Sequence, residues 1–122
     1  MILDAGVFIA LDNPSRARII LTLMQRLAND DEPLATTDAA LAQAWRDPAR
    51  QVLMAKLVGM CEVHAFGDPK TIGTRCATTG TSDVVDAGLA VLADQLGDVI
   101  LTTDPADMAK LEARHVTLGN LT

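Results

Sequence analysis

Three aspartates stand where acidic side chains can do chemistry. Asp4 follows the apolar run Met1-Ile2-Leu3, Asp86 opens an amphipathic stretch, and Asp104 lies just past Val99-Ile100-Leu101. Carboxylates that meet beyond the carboxyl ends of parallel strands form a set of hard oxygen donors, which suits Mg²⁺ or Mn²⁺. Such an ion activates water and steadies charge developing on a phosphate. Each acid also has a plainer role. Asp104-Pro105-Ala106-Asp107 reads as a helix start, with Asp104 as N-cap, Pro105 in the first turn and Asp107 favoured by the helix dipole. Asp83-Val84-Val85-Asp86 reads the same way. Asp4 is harder to explain by capping alone, because an acid directly after a buried strand is unfavourable unless partnered.

The elements that must position these acids follow from periodicity. Strands are expected over residues 1–4, 34–36, 62–66, 98–102 and 115–118, where short apolar or alternating runs are bounded by polar or glycine-containing breaks. Helices are expected over 7–11 and 16–27, the second carrying Ile19, Ile20, Leu23, Met24 and Leu27 on one stripe. Further helices are expected over 39–45, from Pro48 to about Met60, over 70–79, over 85–96 ending at Gly97, and over 105–112. Strict alternation of strand and helix predicts an α/β fold: a three-layer sandwich around a mainly parallel sheet of about five strands, in a single domain over 1–122.

Composition narrows the function. With 49% hydrophobic residues in 122, the chain can bury one core. Aromatic residues make up 2%, which leaves little for base stacking, and a net charge of −6 excludes a general basic grip on nucleic acid. A metal-bridged grip is not excluded. Cys61 and Cys76 lack Cys-x-x-Cys spacing, and neither a secretory leader nor a long apolar run is apparent, so a cytoplasmic protein with no membrane association is expected. There is no phosphate loop, dinucleotide fingerprint or nucleophile elbow. A haloacid-dehalogenase-like site would want a second aspartate two residues after Asp4, where Gly6 stands.

Four blocks carry a wider resemblance. They are Met1-Ile2-Leu3-Asp4, Ala40-Leu41-Ala42-Gln43-Ala44-Trp45-Arg46, Ser82-Asp83-Val84-Val85-Asp86-Ala87 and Leu101-Thr102-Thr103-Asp104-Pro105-Ala106-Asp107. In this order and spacing the chain resembles the PIN-domain ribonucleases, and among them the VapC-type toxins of toxin–antitoxin pairs. The resemblance implies an endoribonuclease that hydrolyses phosphodiesters with Mg²⁺ or Mn²⁺. It makes Asp4, Asp86 and Asp104 the catalytic acids and metal ligands, with Asp83 and Asp107 as flanking ligands and Thr102 beside them. It also implies an RNA substrate, a cognate antitoxin and a homodimer.

The chain departs from the family at Gln43, where the pattern has glutamate. An amide matches the shape of a carboxylate but supplies no anion. Two readings therefore stand: a nuclease whose activity is reduced or lost, or a catalytically degenerate domain that binds a protein partner. Arg46 and Arg50, on or after the helix carrying Gln43, are candidate contacts to RNA phosphates. His64 and His115 fall in expected strands away from the acidic blocks and are assigned structural roles.

Overall fold

The computed structural model describes the backbone of residues 1–121 and the side chains of residues 1–119. Five strands form one parallel sheet: β1 (Ile2–Leu3), β2 (Leu34–Thr37), β3 (Cys61–His64), β4 (Ile100–Thr102) and β5 (His115–Thr117), in the order β3-β2-β1-β4-β5. The eight helices are α1 (Ala5–Ala10), α2 (Pro14–Asn29), α3 (Asp38–Ala44), α4 (Val52–Val58), α5 (Pro69–Thr79), α6 (Val84–Leu96), α7 (Pro105–Lys110) and α8 (Leu118–Leu121). All five expected strands are present and parallel.

Alternation along the strands divides the core into two. Ile2, Ala35 and Ile100 pack on one face with Ile72 and Cys76 of α5, Ala87 to Ala93 of α6 and Met108 of α7. Leu3, Leu34 and Leu101 point to the other face, against Val7 and Phe8 of α1, Ile20, Leu23 and Met24 of α2, and Met54 and Leu57 of α4. A sheet buried on both faces needs short strands that are apolar throughout, which is how β1 and β4 read. The result is a three-layer α/β/α sandwich. No helix among the described residues is long and apolar enough to cross a membrane.

The order of the strands places the site. From β1 the chain moves outward to β2 and β3, then crosses back to β4 on the other side of β1 and outward again to β5. The β1/β4 boundary is the topological switch point, where connections diverge and open a crevice at the carboxyl ends. Register pairs Ile2 with Ile100 and Leu3 with Leu101, and the Asp4 amide donates to the Leu101 carbonyl at 3.2 Å. Asp4 and Thr102 are therefore neighbours across that boundary.

One expected element is corrected. Pro48 does not begin a helix: residues 48–50 form a turn, and α4 starts at Val52. The Asp47 carboxylate accepts from the Ala49 amide at 3.0 Å, and the Asp47 carbonyl accepts from the amides of Arg50 and Gln51, so the turn closes on itself. Gln51, only 7% exposed, then braces the segment. Its Oε1 accepts from the amides of Arg46 (2.7 Å) and Asp47 (3.1 Å), and its Nε2 donates to the Ala44 carbonyl (3.1 Å). Elsewhere the differences are at element ends. α1 begins at Ala5, β3 ends at His64, and Leu118 belongs to a final helix that periodicity does not suggest.

Candidate functional site

Asp4 is 4% exposed, and each of its carboxylate oxygens accepts a hydrogen bond. Oδ1 accepts from the Val7 amide at 3.1 Å, which caps α1. Oδ2 accepts from the Thr102 hydroxyl at 2.5 Å, and the Thr102 oxygen accepts in turn from the Asp104 amide at 2.9 Å. Thr102 is wholly buried. A single hydroxyl thus links the acid after β1 to the acid after β4, and a Thr-x-Asp turn is what brings the hydroxyl and the Asp104 amide together. Burial pushes the Asp4 carboxyl above the ordinary carboxylate range, opposed by the Thr102 hydroxyl and by the backbone amides of Val7, Thr103 and Gly6.

Gly6 lies in close approach to two side chains of this corner. A Cβ at this position would lie 2.0 Å from the Thr103 Oγ1 and 3.3 Å from Asp4 Oδ1. Neither Gly6 nor Thr103 is singled out by sequence pattern. The signal available was their position, Gly6 two residues after Asp4 and Thr103 directly before Asp104.

The second group of acids surrounds the amino end of α6. Asp83 caps this helix, accepting from the Asp86 amide at 3.0 Å. Asp86 is half-buried, and its carboxyl is pushed up to about 7. Burial is the largest cause, followed by the charge of Asp83, a hydrogen bond with its side chain, and the charges of Asp4 and Asp107. Asp83, Asp86 and Asp107 line a depression of about 310 Å³ with Thr81, Ser82 and Lys110. Asp104 caps α7, accepting from the Asp107 amide at 3.3 Å, and is exposed.

The structure thus brings Asp4, Asp83 and Asp107 each within electrostatic reach of Asp86 and ties Asp104 to Asp4 through Thr102. Asp83 and Asp104, both candidate site acids, are N-caps of α6 and α7. None of these five carboxylates forms an ion pair with Lys, Arg or His among the described residues. Oxygen donors with uncompensated negative charge fit a hard divalent cation in chemistry. Their spacing is not closed around one: among the described residues, no three His, Cys, Asp or Glu side chains are arranged to hold a metal ion.

Gln43 lies on the last turn of α3, exposed and without a hydrogen bond. Arg46 donates to the carbonyls of Ala42 and Trp45 at 2.9 and 2.7 Å, and so closes the carboxyl end of α3. Arg50 approaches Asp47 at 3.6 Å. Both arginines line a groove of about 490 Å³ with Leu11, Asp12 and Met54, which includes none of the five acids. His64 faces Glu62 at 3.6 Å, and His115 Nδ1 lies 2.8 Å from the Ala113 carbonyl, both within their own segments.

Two solved structures share this architecture. PAE2754 from Pyrobaculum aerophilum superposes with a TM-score of 0.72 at 19% identity, covering 98% of this chain and 84% of its own. VapBC2 from Rickettsia felis, solved bound to a DNA fragment from its promoter, superposes with a TM-score of 0.66 at 13% identity, covering 95% and 96%. This is a PIN-like fold. At these identities it is the fold that is shared, along nearly the whole chain. No protein-family model matches the sequence, and no curated protein matches it. In this PIN-like fold the acids of three of the four sequence blocks fall at the switch point and at the starts of α6 and α7, and the fourth block carries Gln43.

Proposed function

We propose that the protein is a metal-dependent endoribonuclease, the toxin member of a toxin–antitoxin pair, whose ion site is weakened by Gln43. The observation that carries this reading is the set of carboxylates gathered at the β1/β4 switch point with no cationic side chain paired to them. Neighbouring like charges are unfavourable without a counter-ion, and at Asp86 the charges of Asp83, Asp4 and Asp107 add to burial, the larger cause, in raising its pKa. Asp4, Asp86 and Asp104 would hold Mg²⁺ or Mn²⁺, with Asp83 and Asp107 beside them. The bound cation supplies an activated water and neutralises charge on the phosphate.

The chain's own residues set the terms. Thr102 fixes the Asp4 carboxylate and the Asp104 turn in one geometry, as an outer hydrogen-bonding partner does for a ligand. Burial around Asp4 keeps bulk water from its carboxylate. Asp86, its carboxyl pushed up to about 7, would have to give up its proton to serve as a ligand. Arg46 and Arg50 lie outside this centre, where they would meet phosphates further along an RNA strand.

The fold shared with VapBC2 supports a protein partner of the antitoxin kind, and a cytoplasmic homodimer follows from the same reading. The alternative, a degenerate domain that binds a protein partner without cleaving RNA, is favoured by Gln43 and by the open spacing of the acids. The deciding experiment is cleavage of a labelled RNA pool with Mn²⁺ by the natural chain, Asp4→Asn and Gln43→Glu. The nuclease reading predicts cleavage that Asp4→Asn abolishes. Metal-independent activity, or none in both the natural chain and Gln43→Glu, would sink it.

A further inference from the structure

Arg75, on α5, makes three contacts remote from the acids. Its Nε donates to the Leu111 carbonyl at 2.9 Å, its Nη2 to the Glu112 carbonyl at 3.4 Å, and its Nη1 to Asp94 Oδ2 on α6 at 2.6 Å. One guanidinium therefore joins α5, α6 and the carboxyl end of α7. The fork geometry of arginine makes this possible, since its donors diverge in one plane.

The end of α7 is unusual in its own right. Glu112 has φ +55°, a left-handed conformation that side chains disfavour and glycine adopts freely. The Glu112 amide donates to the Ala109 carbonyl and the Ala113 amide to the Met108 carbonyl, both at 3.1 Å. This is a Schellman ending with glutamate where glycine is usual. Local sequence does not favour that stop, and Arg75 holds the two carbonyls that flank it.

The helices so joined carry the acids at their opposite ends. α6 begins beside Asp83 and Asp86, and α7 begins beside Asp104 and Asp107. Asp94 is on α6 eight residues beyond Asp86, about 12 Å along the axis at 1.5 Å per residue. We infer that Arg75 is a positioning residue: by locking the far ends of α6 and α7 together, it sets the separation of the two carboxylate pairs at their amino ends. Its consequence for cation binding rests on the function proposed above, whereas the spacing role does not.

The test separates the two. Nitroxide labels at Val84→Cys and Ala106→Cys, in a chain with Cys61 and Cys76 replaced by alanine, report the distance between the two helix starts by pulsed electron resonance. Arg75→Leu broadens or lengthens this distribution, and Mn²⁺ affinity, titrated well below the melting temperature, falls about tenfold. Arg75→Lys, which can meet Asp94 but not fork to the carbonyls, falls between Arg75→Leu and the natural chain.

Glu112→Gly controls for stability by relieving the left-handed strain, and raises the melting temperature by about 4 °C. Arg75→Leu/Glu112→Gly therefore recovers melting behaviour but keeps the broadened distance and the weak Mn²⁺ binding. An unchanged distribution in Arg75→Leu overturns the proposal, as does recovery of the distance in the double variant. If the natural chain binds no Mn²⁺, the cation-site reading fails and the distances alone decide the role of Arg75.

Discussion

The corner around Asp4 and the amino end of α6 are built on opposite principles. At Asp4 the carboxylate is buried, each oxygen has a donor, and a neighbouring glycine admits Thr103 to the same spot. At α6 the carboxylates are exposed or half-buried and like-charged, and the Asp86 carboxyl has only the like-charged Asp83 side chain as a hydrogen-bonding neighbour among the described residues. The first region is organised by the protein itself, since hydrogen bonds to a buried acid hold one geometry. The second is left incomplete, in the manner of a site that closes around its cation. Under the proposed cation-binding reading, Asp4 would be a ligand held in place and the acids at α6 would adjust to the ion.

Asp4→Asn should have the largest effect. Asparagine is an equally good N-cap through its Oδ1, and its Nδ2 would donate to the Thr102 hydroxyl in place of the oxygen that accepts from it, so the fold should persist while metal-dependent cleavage falls at least about 100-fold. Circular dichroism and a cleavage assay on the same sample check both halves. If the folded variant retains activity, the fixed corner is structural only.

Thr102→Val removes the hydroxyl that joins Asp4 to Asp104 and leaves a buried acid short of a donor. Activity or metal affinity should fall roughly 10- to 100-fold. Thr102→Ser should recover most of it, and the pair can be compared by Mn²⁺ titration.

Gly6→Ala tests close packing in the same corner, where the added methyl meets the Thr103 hydroxyl. Destabilisation of about 1–3 kcal/mol is expected by urea unfolding. The same change at Gly73, where a Cβ meets nothing within 4 Å, should not destabilise the protein.

For the open region, Gln43→Glu should tighten Mn²⁺ binding by roughly tenfold through one added charge. Equal affinity would remove Gln43 from the ion's surroundings.

The smallest effect is on pH dependence. Asp86 is raised above the value it has unfolded, so its neutral form stabilises the metal-free fold. That contribution is full below about pH 4 and is lost as pH rises through about 7, with the raised Asp4 carboxyl acting in the same direction. Melting in the presence of a chelator should therefore weaken across this window, less so in Asp86→Asn. Mn²⁺ should reverse the trend by binding the ionised form.

The sheet was legible because β1 and β4 are continuous apolar runs and helices such as α2 and α6 carry clear stripes. Asp4 was legible for a related reason: an acid following a buried strand needs partners, and Thr102 and the α1 amides supply them. Pro48 misled because the same residue opens helices and turns, and what decided for a turn was the Asp47 side chain. The brace at Gln51 and the clamp at Arg75 were not legible. Their partners lie four to seven residues away in one case and 19 to 37 in the other, and only the folded chain brings them together. Nor does periodicity separate a capping aspartate from a ligand, because Asp83 and Asp104 cap their helices while standing among the site's acids.

The central claim is that the carboxylates at the switch point receive a divalent cation. Anomalous scattering from a Mn²⁺-soaked crystal tests it most directly. A peak between Asp4 and Asp86, with Asp104 drawn toward it, is the predicted result. Saturating Mn²⁺ with no peak there, or with density only at other surface acids, would contradict it.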